Sequence, residues 1–180
     1  MRAKNNAFKV AKSALYNNAL AFSPYWGGAE QSDEGSVHFS NLPEGLGSLQ
    51  IDLDFKARWM GGTCSMNIVF SRQVDQAGSG RLKFKGSRNG QFTGKTQGVF
   101  CADLLTALDA DTELKQTLRS IDLESLTIYI ENGCVKTTLT PYGGGMVYLI
   151  IPPMRTPIPL PPEQVAPIAQ VLKKISSYME

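Results

Sequence analysis

Histidine is nearly absent from this sequence: His38 is the only one in 180 residues. A Ser-His or Cys-His nucleophile pair would have to use it, and nothing beside it in sequence completes such a pair. Its place in a strand-like stretch points to a structural role. Cysteine is scarce as well. Cys64, Cys101 and Cys134 are far apart and odd in number, with no CxxC pair, so neither a zinc site nor a disulfide framework is indicated. Scattered Asp and Glu add no metal-ligand set, and no cofactor is expected. No segment approaches the roughly 18 apolar residues needed to span a bilayer. The basic start, MRAKNNAFKVAKSALYNNALAF, is interrupted by Asn17 and Asn18, which a signal peptide's apolar region would not tolerate. These absences together predict a cytoplasmic protein in a reducing compartment. Net charge is only +2, too small to argue for nucleic acid.

What is present is strong strand and helix patterning within a length suited to one domain, residues 1–180. Phe8, Ala11, Leu15, Ala19 and Phe22 recur at helical spacing. Pro24 and Gly27-Gly28 end that helix, and QSDEGS connects it onward. VHFSNL is a candidate strand. In SLQIDLDFKARW, Leu49, Ile51, Leu53, Phe55, Ala57 and Trp59 alternate with Gln50, Asp52, Asp54, Lys56 and Arg58, which predicts one buried and one wet face. Gly61-Gly62 turns the chain into Cys64 to Ser71, and RLKFK (Arg81 to Lys85) alternates again. Gly86 to Gly98 has four glycines and no apolar pattern and reads as a loop. A central helical region, VFCADLLTALDAD and ELKQTLRSI, precedes LTIYIEN, CVKTTLT and MVYLII, the first two joined by the hairpin signal Asn132-Gly133. The segment 152–162 is proline-rich and must be extended. Val165, Ile168, Leu172, Ile175 and Met179 mark a last helix, with Pro167 fitting only its first turn. The fold class predicted is α+β: a curved antiparallel sheet of about seven strands, with N-terminal, central and C-terminal helices packed on one face.

The one openly chemical motif is Gly94-Lys95-Thr96. A P-loop needs its first glycine at position 89, which is Asn89; Gly90 is one residue too close, and the alternating β/α order is missing. The alternative is a basic loop touching an anion through Arg88, Lys95 and helix amides. Asp52 and Asp54 share a face with Lys56 and Arg58, so charge pairing explains them better than acid/base chemistry. Cys101 sits near a helix start, where a dipole could lower its thiol pKa, but a small buried hydrophobe is the simpler reading. Arg81, Lys83 and Lys85 point outward, yet Phe55, Trp59, Phe70 and Phe84 fall on the other face, so base stacking lacks its aromatics. MVYLII is apolar on both alternations, which a one-sided sheet does not require. A second layer, a partner or a ligand must account for it. The prolines after it bracket Ile158 and Leu160 as an extended docking strip would, but simple packing across the domain surface is the plainer reading.

The curved sheet closed by a long C-terminal helix resembles the helix-grip domains that hold lipids and other apolar ligands, although those begin with a strand. The order helix, strands, helix, strands, helix is similar to small secretion chaperones that bind an extended partner chain, although those are acidic and shorter. Neither likeness carries a motif, so no residue role transfers. No acid, base and nucleophile converge, which places an enzyme behind two binding readings. The first is a non-enzymatic domain holding an apolar small molecule or lipid between the sheet and the C-terminal helix, lined by Phe55, Trp59, Phe70, Phe84, Tyr148 and Leu172. The second is a protein-interaction, assembly or homodimer module that pairs through MVYLII, the proline-rich strip or the N-terminal helix.

Overall fold

The computed structural model describes residues 2–43, 47–86 and 90–179. Its elements, in chain order, are α1 (Arg2–Leu20), α2 (Ser23–Trp26), β1 (Gly28–Gln31), β2 (Val37–Ser40), β3 (Ser48–Arg58), β4 (Gly61–Gln73), β5 (Ser79–Lys85), β6 (Gln91–Gln97), α3 (Val99–Ala110), α4 (Thr112–Ser120), β7 (Leu123–Glu131), β8 (Cys134–Pro141), β9 (Met146–Leu149), β10 (Met154–Pro157) and α5 (Pro162–Ser177). The class is α+β, with one large antiparallel sheet and five helices.

The sheet has ten strands rather than seven. Three escaped the alternation rule, each for a physical reason. GAEQ in β1 buries almost nothing. QFTGKTQ in β6 buries only Phe92, because it is an edge strand held by its backbone to β5. MRTP in β10 is exposed throughout and pairs with β9 despite its terminal proline. Within the stretch from 86 to 98, which reads as a loop, Gln91–Gln97 is therefore strand. Pro167 also departs from expectation: α5 begins at Pro162, so this proline lies beyond the first turn.

The main strand order is β1-β2-β3-β4-β8-β7-β5-β6. The 13-residue β4 organises it. One edge of β4 pairs with β3 along the full length of β3, from Ser48↔Ser71 to Arg58↔Gly61. The other edge is shared. Ile68 to Gln73 pair with β8, and Gly61 to Cys64 pair with β9, which in turn carries β10. Tyr142 to Gly145 form the jog between β8 and β9. Here backbones pass so closely that a Cβ on Gly145 would lie 2.4 Å from the Cys64 carbonyl oxygen, and one on Gly144 (φ +83) would lie 2.7 Å from the Met66 sulfur. Asn132 and Gly133 both have positive φ (52° and 71°), the geometry that the Asn-Gly signal requires for a two-residue hairpin.

Register explains the core. Leu49 faces Phe70 and Ile51 faces Ile68 across β3–β4; Leu139, Leu126, Phe84 and Phe92 continue the same row across β8, β7, β5 and β6. These side chains join one cluster with Leu15, Phe22, Trp26, Leu108, Leu118, Ile168, Leu172 and Ile175. Trp26 stacks on Phe22 at 4.2 Å between ring centroids and meets Phe39 edge-on. A smaller cluster, Ala11, Cys64, Met146 and Tyr148, sits where α1 crosses β4 and β9.

Candidate functional site

The β3–β4 and β9–β10 hairpins end side by side. Arg58↔Gly61 closes the first around Trp59 and Met60; Leu149↔Met154 closes the second around residues 150–153. The two are joined because Gly61 pairs with Leu149 and the Ile150 N–H donates to the Met60 carbonyl at 2.9 Å. Gly61 makes the approach feasible: a Cβ there would lie 2.2 Å from the Tyr148 carbonyl oxygen.

This double tip is apolar and uncovered. Trp59 is 89 % exposed and Ile151 69 %; Met60, Leu149, Ile150 and Met154 are also exposed. Most large apolar side chains among the described residues are buried, so a contiguous exposed group of this kind stands out. Exposed Arg58 and Arg155 bracket it. No acidic residue occurs in 55–61 or in 146–158.

The six residues expected to line one apolar pocket are dispersed. Phe70 and Leu172 are fully buried in the main cluster, and Phe84 joins them, tilted against Phe92 at 5.1 Å. Tyr148 belongs to the smaller cluster. Phe55 is half-buried and meets Phe8 at 5.3 Å. Trp59 does not face inward with Leu49 and Ile51: β3 stops at Arg58 and the indole sits on the turn. The alternation is real, but β3 runs beyond the core, so burial fades from Ile51 through Leu53 and Phe55 to Ala57. A cleft of about 300 Å³ touches Phe84, together with Gly86, Leu118 and Arg119. Another, of about 360 Å³, lies between α4 and α5 beside Leu114, Val171 and Lys174.

The remaining candidates resolve individually. In β6, Lys95 and Thr96 pair with Arg81 and Gly80, so Gly94-Lys95-Thr96 is an edge strand and not a phosphate loop; Arg88 and Asn89 lie outside the described residues. His38 is exposed on β2, with its Nε2 3.4 Å from Ser36 Oγ. Lys56 pairs with Glu124 at 3.2 Å and with Asp54 at 3.7 Å, as charge pairing predicts, whereas Asp52 accepts from the neutral Gln50 amide. The hydrogen bond from Lys56 to Glu124 is the main cause that raises the Lys56 pKa. The Cys101 thiol is buried and pushed up by desolvation, against a smaller lowering by a backbone hydrogen bond from Gln97. Burial, helped by Asp54, pushes the Cys64 thiol up to about 12. Among the described residues no group of three or more His, Cys, Asp or Glu could hold a metal ion.

One feature of the polar sheet face was invisible to sequence spacing. Register aligns Lys95, Arg81, Tyr129 and Lys136 across β6, β5, β7 and β8, and the Arg81 guanidinium lies over the Tyr129 ring at 4.8 Å. This aromatic stands among the outward bases, but it is occupied by an arginine, and the stretch offers a single ring. Correct pairing of β5 with β7 was the missing information.

At the other end, Asp111 ties α4 to α5. It accepts from the Leu114 N–H at 2.9 Å and from the Tyr178 hydroxyl at 2.6 Å, with Lys174 at 3.6 Å. Burial works against its ionisation, but these three partners outweigh it and hold the carboxyl below its usual range. These contacts are internal to the fold and expose no reactive centre.

A family model described as "Protein of unknown function (DUF3156)" matches residues 21–179. No curated protein and no solved structure matches the chain.

Proposed function

The chain belongs to the DUF3156 family, and from that premise we propose that it is a non-enzymatic docking module that engages its partner through the double hairpin tip. The observation that carries this reading is the exposure of Trp59 and Ile151 at two joined turns. An aromatic anchor on a rigid β scaffold is what recognition surfaces use. The reading unites the apolar strand MVYLII with the proline-rich strip, since β9 and β10 are the two arms of one hairpin. The small-molecule reading asks for an unfilled volume beside Phe70, Phe84 and Leu172; their burial in a continuous cluster gives it less support.

In this reading all five helices cover the apolar sheet face, and the domain serves as a rigid base from which the tip projects. The three free cysteines favour a cytoplasmic setting. Among the described residues, no helix is long and apolar enough to cross a membrane.

The test is position-specific photocrosslinking in the expressing cell. A photoreactive residue in place of Trp59 or Ile151 is expected to give adducts. One in place of Tyr142, which is 57 % exposed elsewhere on the chain, is expected to give none. Equal adducts from all three positions, or neither protein nor lipid adducts from the tip, would sink the docking reading.

A further inference from the structure

We infer that the partner of the double tip is the surface of an anionic lipid bilayer, an inference that rests on the docking reading above. Charge is the first argument. The tip combines exposed Trp59, Ile150, Ile151 and Met154 with Arg58 and Arg155, and the segments that build it carry no acidic residue. α1 adds to this field. It contacts β3 and β10 and carries the exposed base Lys9, while Lys12 reaches back to the Asp33 carbonyl. Apolar side chains ringed by bases complement a headgroup layer that is negative at its surface and apolar beneath. Indole is the side chain that most favours that boundary.

The backbone supplies a second, independent argument. A loop entering an apolar layer must not carry unpaired amide N–H groups. At this tip Pro152 and Pro153 have none and the Ile150 N–H is satisfied by the Met60 carbonyl, which leaves the amides of Trp59, Met60 and Ile151 for the headgroup layer and limits the tip to shallow insertion. β10 holds its place by backbone pairing with β9, not by burial, since all four of its residues are exposed. Two turns side by side give a blunt wedge, suited to shallow insertion and not to spanning.

The experiment is co-sedimentation of the full chain with vesicles of equal phosphatidylglycerol and phosphatidylcholine, compared with phosphatidylcholine alone. Binding to the anionic vesicles is expected to exceed that to the neutral ones by about tenfold or more at low salt, and to weaken as salt is raised. Trp59 emission is expected to shift to the blue and to lose its quenching by iodide on the anionic vesicles. The double variant Trp59→Ser/Ile151→Ser is expected to lose binding while keeping its circular dichroism spectrum. Arg58→Glu/Arg155→Glu is expected to lose about tenfold or more.

Equal binding to both vesicle types overturns the inference, as does anionic binding that both double variants retain. If anionic vesicles are not bound while Trp59 crosslinks to a protein or to a second copy of the chain, the bilayer is wrong and the docking reading stands. If neither vesicles nor crosslinks engage the tip, both fail.

Discussion

The Ile150 N–H donates to the Met60 carbonyl at 2.9 Å, so two hairpins far apart in sequence end as one structure. Without this bond and the Gly61↔Leu149 pair beneath it, Trp59 would ride on an isolated turn. With them, the indole is held on the end of a sheet whose strands reach the core.

Gly61 should therefore tolerate no side chain. A Cβ there would lie 2.2 Å from the Tyr148 carbonyl oxygen and 3.0 Å from the Leu149 Cα, both backbone atoms that cannot swing aside. Gly61→Val is expected to separate β9 from β4 and to cost about 1–3 kcal/mol. Urea denaturation followed by circular dichroism measures the cost. A change below about 0.5 kcal/mol would mean that the two hairpins are not locked together.

The two tryptophans should report opposite environments. Trp26 is 1 % exposed and stacked on Phe22, whereas Trp59 is 89 % exposed. Trp59→Phe is expected to remove the red, iodide-quenchable part of the emission and leave a blue, shielded remainder. Its effect on stability should stay within about 0.5 kcal/mol, because nothing packs over the indole. A blue, unquenched spectrum of the unaltered protein in solution would place Trp59 under cover.

The thiols should divide in the same way. Cys64 and Cys101 are buried and both pushed above the ordinary value of 9.0, Cys64 to about 12, with desolvation as the main cause in each. Cys134 is half-buried at the start of β8. At pH 8, a chromogenic disulfide is expected to titrate one thiol quickly in the folded protein and all three after unfolding. Rapid reaction of Cys101 would revive the idea of a helix-activated thiol.

Much of this architecture was legible in the sequence, and the exceptions have common causes. Ala11, Leu15 and Ala19 are buried as helical spacing predicts; Phe22 is buried too but from the turn after α1, which stops at Leu20, and Phe8 is 37 % exposed. Alternation located β3 and β4 because their apolar residues share one face, buried along much of β4 and at Leu49 and Ile51 of β3. It missed β1, β6 and β10 because those strands depend on backbone pairing, which leaves no mark on side-chain hydrophobicity. The exposed double tip was half visible. MVYLII stood out for having too many apolar residues, but its meeting with Trp59 depends on β9 pairing with β4, a contact some 85 residues apart in sequence that no local pattern encodes. Alternation places Trp59 inward because it reports which side a residue takes and not where the core ends.

Asp111 offers a pH-dependent test of the α4–α5 junction. It caps α4 through the Leu114 N–H and is approached by Tyr178 and Lys174, and these partners together hold its carboxyl below the ordinary value of 3.8 despite burial. A carboxylate stabilised in the folded state contributes above its unfolded pKa and stops contributing as pH falls through its folded pKa. Tyr178 is raised above 10.0, chiefly by its hydrogen bond to Asp111, so its share is present below that pH and lost as pH climbs through the folded value. The junction is thus strongest between roughly pH 4 and 10. Asp111→Ala is expected to cost about 1–2 kcal/mol at pH 7 through the lost cap alone. It should also remove part of the acid-side decline, so the variant and the unaltered chain should converge as pH drops below about 4. Thermal unfolding from pH 3 to 7 follows both curves. Parallel curves would mean that the carboxylate is not coupled to folding and that the junction rests on the packing of Leu114 and Leu118 alone.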